Sequence, residues 1–152
     1  MARAKSLGFT LVELIVVIIL VAIVSLYAAS RFIGRDSFSA FVAQEQVISV
    51  IRQVQVTRMQ SNSASSCASD SNTALSVSAN CLGSVAGCNQ ASAQRSDWVA
   101  LEGVTFSPQT ACLEFDLLGE PNQAVTVDIR AASSTCRVTI ERNGYVSSGG
   151  CS

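Results

Sequence analysis

The chain has 152 residues, 49% apolar and only 14% charged, with mean hydropathy +0.38 and formal net charge −1. A soluble domain carries about 25% charge, so part of this chain lies outside water, and the balance leaves no basic surplus for nucleic acid. The absence of histidine removes imidazole catalysis, imidazole metal ligands and a histidine pH switch, while six cysteines in so short a chain point to an oxidising compartment.

The charge deficit has an address. From Phe9 to Ala29 the chain reads FTLVELIVVIILVAIVSLYAA, with Glu13 as its only charge. As a helix those 21 residues span about 31 Å, one hydrocarbon core. A short leader, MARAKSLG, precedes them, and Arg3 and Lys5 favour a cytoplasmic N-terminus. Arg31 and Arg35 on the far side weaken that bias, and Asp36 partly offsets them. A cleaved signal peptide finds small residues at Ala28 and Ser30, but the apolar run is long for one and carries Glu13 inside it. A plain anchor leaves Glu13 unexplained, since an unpaired carboxylate in lipid costs about 2.5–3.5 kcal/mol on insertion scales.

A third reading supplies a partner. Gly8-Phe9-Thr10-Leu11-Val12-Glu13 resembles the cleavage motif of the type IV pilin and pseudopilin superfamily. The resemblance implies a cut by prepilin peptidase between Gly8 and Phe9, methylation of the new Phe9 amine, and retention of the apolar run. It further implies that Glu13, then the fifth residue, pairs with the Phe9 amine of a neighbouring subunit during assembly. Each charge is costly alone in lipid and far less so when paired. Removing Arg3 and Lys5 takes the formal charge from −1 to −3.

Between Phe9 and Gln60 there is no proline, and Gly34 is the only glycine. Helical spacing continues past Arg35, so one helix is expected over 9–62, about 80 Å long, with 9–29 in the membrane or the filament core. Beyond the membrane its apolar residues fall into two stripes. Phe38, Phe41, Val42, Ile48, Val56 and Met59 form one, and Val47, Val50, Ile51 and Val54 the other. Two stripes predict packing on both sides: one against the subunit's own head, one against neighbouring helices, as the pilin resemblance implies. Burial of the whole helix in one larger core is the alternative. Many pilins bend this helix at a proline. The corresponding position here is Ser30, so Gly34 is the expected soft point.

Residues 61–96 are rich in serine, alanine and asparagine and read as a linker, yet Cys67, Cys81 and Cys88 can pin them. A variable, cysteine-containing loop is expected over 63–96, with at most short helical or strand pieces. From Asp97 the pattern turns β. Val99–Leu101, Val104–Phe106, Ala111–Asp116, Val125–Arg130, Arg137–Glu141 and Tyr145–Ser148 are short runs. Pro108, Gly119-Glu120-Pro121 and Asn143-Gly144 break them.

Asn-Gly is the preferred pair for a two-residue type I′ hairpin. Arg142 then faces Tyr145, and counting outward brings Cys136 opposite Cys151, on the face of Val138 and Ile140. The expected Cα separation of about 4.5–5.5 Å suits a disulfide. The other four cysteines, Cys67, Cys81, Cys88 and Cys112, leave three pairings open. Gaps of 13, 6, 23, 23 and 14 residues, with no histidine, do not suit zinc. No thiol has a histidine to activate it. Glu114 and Asp116 alternate on a strand, the spacing of a solvated face rather than an acid–base pair. A calcium site at Asp70 or Asp97 has no supporting pattern.

Phe115-Asp116-Leu117-Leu118-Gly119-Glu120-Pro121, then Cys136–Glu141, then Gly144-Tyr145-Val146, resembles the C-terminal half of minor pilins and H-type pseudopilins. The whole chain resembles a minor prepilin of the mannose-sensitive haemagglutinin (MSHA) type of pilus. The expected fold is α+β: leader 1–8, long helix 9–62, loop 63–96 and a small antiparallel β head 97–152 with disulfides. The expected function is structural, without cofactor, metal or catalysis. The resemblance implies an inner-membrane, single-pass precursor with a periplasmic head that later joins a surface filament. Its implied partners are other major and minor pilin subunits, prepilin peptidase and the inner-membrane assembly platform. An H-type pseudopilin of type II secretion has the same chemistry. A tip adhesin or DNA-uptake receptor using Arg130, Arg137 and Arg142 is the reading from another class.

Overall fold

A computed structural model describes residues 10–33, 35–132 and 134–152, and their side chains apart from those of 29–39. The chain divides into two compact units, 1–35 and 36–152. The first carries helix α1, Leu11–Ile33. The second carries helix α2, Arg35–Met59, from its second residue onward. Continuity of one helix through Gly34 falls on a residue outside those described.

Two four-stranded antiparallel sheets complete the second unit. One contains β1 (Ala74–Val77), β2 (Leu82–Ser84), β3 (Trp98–Val99) and β5 (Thr110–Glu114), in the order β3-β2-β1-β5. The other contains β4 (Val104–Ser107), β6 (Val125–Ala131), β7 (Ser134–Ile140) and β8 (Val146–Cys151), in the order β4-β6-β7-β8. A short helix α3, Val85–Asn89, follows β2. The fold is α+β with a small sheet head, and 63–96 is more than a loop. Its β1 and β2 lie in the middle of a sheet, with Leu75, Val77 and Leu82 buried. The head therefore begins near Ala74, ahead of Asp97.

Each sheet shows one face to the core. Along β6, Val125, Val127, Ile129 and Ala131 are buried, whereas Thr126 and Arg130 between them are exposed. That alternation is what a sheet solvated on one side requires. One core cluster joins both sheets to Ala43, Val47, Ile48, Val50, Ile51 and Val54 of α2. Each buried aliphatic side chain contributes about 1.5–3 kcal/mol.

Of the two expected stripes on α2, the one of Val47, Val50, Ile51 and Val54 is buried against the head, and the other is corrected at Ile48. Ile48, at 7% exposure, joins the buried face, while Phe41 at 52%, Val56 at 47% and Met59 at 47% are uncovered. Among the described side chains α2 packs on one side. Its buried face also carries Gln44, Gln55 and Arg58. Gln44 Nε2 donates to the carbonyls of Arg137 (2.7 Å) and Gly149 (2.8 Å). Gln55 Nε2 donates to those of Gly119 and Gly144, both at 2.8 Å. Arg58 Nε donates to Phe115 (2.9 Å) and Nη1 to Ser63 (2.9 Å).

The β7–β8 turn is also corrected. Glu141 N donates to Tyr145 O at 2.9 Å, and Gly144 N to Glu141 O at 3.0 Å. The loop is thus three residues, Arg142-Asn143-Gly144. Of Asn143 and Gly144 only Gly144 has positive φ (+79°), whereas type I′ needs both positions there. The one-residue slip is restored further along. Val138 faces Ser148, yet Cys136 faces Cys151, so Arg137 opposes both Gly149 and Gly150 in a bulge.

Gly144 is held to glycine twice over, by its φ of +79° and by a Cβ position 2.5 Å from the Gly119 carbonyl oxygen. Gly103 shares the left-handed conformation (φ +74°) but has open space around it. Gly144→Ala is expected to cost about 3 kcal/mol or more, Gly103→Ala about 1–2. Urea denaturation of the full-length protein in detergent reads both. Equal losses would contradict the close approach of the two turns.

Candidate processing and assembly site

Helix α1 starts on a Thr10-Leu11-Val12-Glu13 sequence, the spacing of a capping box. Leu14 N donates to Thr10 O, and Glu13 N to Thr10 Oγ1, both at 3.2 Å. Thr10 therefore caps the helix, a role visible in the T-x-x-E spacing but absent from the sequence-based expectation. Glu13 sits in the first turn, where a carboxylate complements the positive end of the helix dipole. Among the described residues its carboxylate has no hydrogen bond or ion pair. Gly8 and Phe9, the expected cleavage and methylation positions, lie outside the described residues.

Leu11–Ala28 has a mean hydropathy of 2.9 and none of it is buried. A soluble surface helix shows one apolar stripe; this one is apolar all round and needs lipid or other helices about it.

The cysteines all pair, as Cys67–Cys112, Cys81–Cys88 and Cys136–Cys151. Cys136 and Cys151 have Cα atoms 4.1 Å apart. Cys67–Cys112 closes the longest loop, at a separation of 45, for which chain-entropy reasoning gives about 4 kcal/mol. It ties the segment leaving α2 to β5. Among the described residues no group of three or more His, Cys, Asp or Glu could hold a metal.

Several polar positions singled out in the sequence are committed to structure. Asp116 Oδ1 accepts from Leu118 N and Glu120 N, both at 2.8 Å, and so builds the turn before Pro121. Arg137 Nε lies 3.0 Å from Asp128 Oδ1 and Arg130 Nη2 3.7 Å from Oδ2, so these two arginines share one carboxylate. Arg142 is exposed on the hairpin turn. Asp97 pairs with Arg95 at 2.6 Å and also accepts from Ser84, which caps α3 by accepting from Gly87 N at 2.8 Å. Burial pushes the Asp97 carboxyl up. The hydrogen bonds from Arg95 and Ser84 and the Arg95 charge outweigh it, and it titrates below the ordinary 3.8.

Residues 3–29 match the prokaryotic N-terminal methylation motif. No curated protein and no solved structure matches the chain. The motif is the signal of type IV pilin and pseudopilin precursors. It implies cleavage by prepilin peptidase and assembly with other pilins, and it indicates a structural subunit rather than an enzyme.

The lowered Asp97 value has a direction in pH. A carboxyl held more strongly ionised when folded contributes fully above the ordinary carboxylate range, and the contribution disappears as pH falls through the lowered value. Stability of the full-length protein is expected to decline below about pH 4, and Asp97→Asn to make that decline shallower. Identical acid profiles for the two proteins would show that this network is not formed.

Proposed function

We propose that the chain is a minor structural subunit of a type IV pilus of the MSHA type. The observation that carries the reading is an apolar helix, unburied over Leu11–Ala28, beginning inside a methylation motif with one carboxylate in its first turn. The precursor inserts into the inner membrane with its head in the periplasm. Prepilin peptidase cuts between Gly8 and Phe9, and Phe9 is methylated. The assembly platform then extracts the subunit into a helical stack of major and minor pilins, where α1 exchanges lipid for neighbouring helices.

Glu13 governs that exchange. In a stack its carboxylate faces the Phe9 amine of the adjacent subunit, and pairing removes the cost that each charge carries alone. The minor-subunit assignment is supported by the Phe115–Pro121 segment and the C-terminal hairpin, which resemble minor pilins and H-type pseudopilins. A role in initiating assembly or at the tip fits such a subunit. The disulfides suit an extracytoplasmic head. The shared Asp128 and a mature formal charge of −3, after loss of Arg3 and Lys5, argue against a DNA receptor.

Mass analysis of the protein from membranes and sheared filaments tests the reading. Methylated Phe9 is the expected start; an intact Met1 or Ala2, or a cut near Ser30, overturns it. Glu13→Ala is expected to be cut and methylated normally yet recovered in filaments at about one tenth or less. Deletion that spares pili but stops protein secretion would assign the subunit to a type II secretion pseudopilus.

A further inference from the structure

Six large apolar side chains stand exposed among the described residues of the second unit, and four of them line one groove. Val56 and Met59 come from α2, Leu118 from the turn after β5, and Tyr145 from the end of the β7–β8 turn. The groove holds about 440 Å³ and runs between the helix and the two turns that Gln55 joins. Its walls are anchored before anything binds. Gln55 Nε2 holds the Gly119 and Gly144 carbonyls, and Tyr145 N donates to Asn143 Oδ1 at 3.1 Å. A site held ready loses little conformational freedom on binding.

Two polar residues line this apolar space with capacity unused. Arg52 is the one charged residue of the lining. Its Nη2 donates to the Val146 carbonyl at 3.3 Å, and among the described residues it has no ion pair. Further N–H donors of the guanidinium therefore stay open. Gln55 is buried, at 7% exposure. Its amide N–H groups are both taken, while among the described residues its Oε1 accepts no hydrogen bond. Three residues apart on a helix, Arg52 and Gln55 are neighbours, about 5–6 Å apart at Cβ. A cation and an acceptor at that spacing, beside an apolar trough, match the end of a polypeptide. There a carboxylate, a backbone N–H and a side chain share one Cα.

We propose that this groove binds the C-terminal residue of another polypeptide, one that ends in a large apolar side chain. Its carboxylate takes Arg52, and its backbone N–H donates to Gln55 Oε1. Its side chain lies among Met59, Leu118 and Tyr145. Arg52 as the sole charge favours a ligand with one negative group over a polyanion such as nucleic acid. A fatty acid offers a carboxylate and an apolar body, but it leaves Gln55 Oε1 covered and unpaired. The groove is built by one copy of the chain alone, so the proposal does not depend on the filament reading.

The full-length protein in lipid nanodiscs is titrated into a fluorescein-labelled peptide, GSGSAL, with a free C-terminus, and anisotropy is followed. Saturable binding is expected. Amidation of the peptide's C-terminus is expected to weaken it about tenfold, and N-methylation of its last residue about fivefold. Arg52→Gln is expected to match the loss on amidation and to add nothing to it, since both remove the same contact. Tyr145→Ala is expected to weaken binding about fivefold. Phe41→Ala, exposed but outside the groove, is expected to leave it unchanged. Mass analysis under non-reducing conditions verifies that each variant keeps its three disulfides. The two peptide modifications act on unaltered protein, so the test stands even where a variant fails to fold. Absence of saturable binding, or equal binding of the amidated peptide, would overturn the proposal. Displacement by decanoate at a lower concentration than by unlabelled GSGSAL would also overturn it, and would assign the groove to a fatty-acyl chain.

Discussion

Three long polar side chains on the buried face of α2 decide how the helix meets its sheets. Gln44, Gln55 and Arg58 all end on backbone carbonyls, and each set of carbonyls belongs to a place where strand pairing is broken. Gln44 serves the bulge at Arg137 and Gly149. Gln55 serves two turns at once, through Gly119 and Gly144. Arg58 takes Phe115, just past β5, and Ser63 in the exit from α2. A buried carbonyl without a donor costs about 1–3 kcal/mol. The helix thus supplies what the strands leave unpaired, and in doing so sets its own height and rotation on the head. Aliphatic contacts from Val47, Ile51 and Val54 supply most of the burial energy but no such register.

The disulfides act on a different problem. Sheet strands such as β2 and β3 are short, at three and two residues, and ladder bonds alone fix them weakly. Cys81–Cys88 ties the approach to β2 to α3, and the Ser84–Asp97–Arg95 network ties the same region to the residue before β3. Cys136–Cys151 crosses a bulge, where ladder pairing is least regular. Covalent links and charge-assisted bonds thus stand where the small core reaches least.

What the sequence made legible follows from what periodicity measures. The apolar segment, Glu13 within it and the β6–β7 alternation are visible because hydrophobic pattern reports burial directly. The outward stripe on α2 is visible too, as the second apolar line, but its membership is not: Ile48 is as apolar as Phe41, Val56 and Met59, and only the tertiary fold buries it. The converse applies to Gln44, Gln55 and Arg58, which read as surface and serve as buried donors. Residues 61–96 read as linker because serine and alanine dominate, yet Leu75, Val77 and Leu82 suffice to seat two strands. At the last hairpin Asn143-Gly144 signals a turn correctly but does not fix its length. The Gly149-Gly150 bulge then brings Cys136 and Cys151 opposite each other by a different count. Thr10 was open to local reasoning, because capping boxes are written in sequence.

The place of Glu13 reconciles two demands on α1. A helix that spans a bilayer gains from having no charge, whereas one that must leave lipid for a stack of neighbours gains from a group that only a neighbour can satisfy. In mid-helix such a carboxylate would cost about 2.5–3.5 kcal/mol. Glu13 stands instead in the first turn, about 3 Å along the axis from Leu11, where the unpaired N–H groups and dipole of the helix partly offset its charge. Thr10 satisfies the Glu13 backbone N–H, and the carboxylate itself keeps no partner among the described residues. The cap therefore stabilises the helix without using up the side chain. Under the proposed filament reading, insertion then stays inexpensive and the strongest interaction Glu13 can make is left for another subunit.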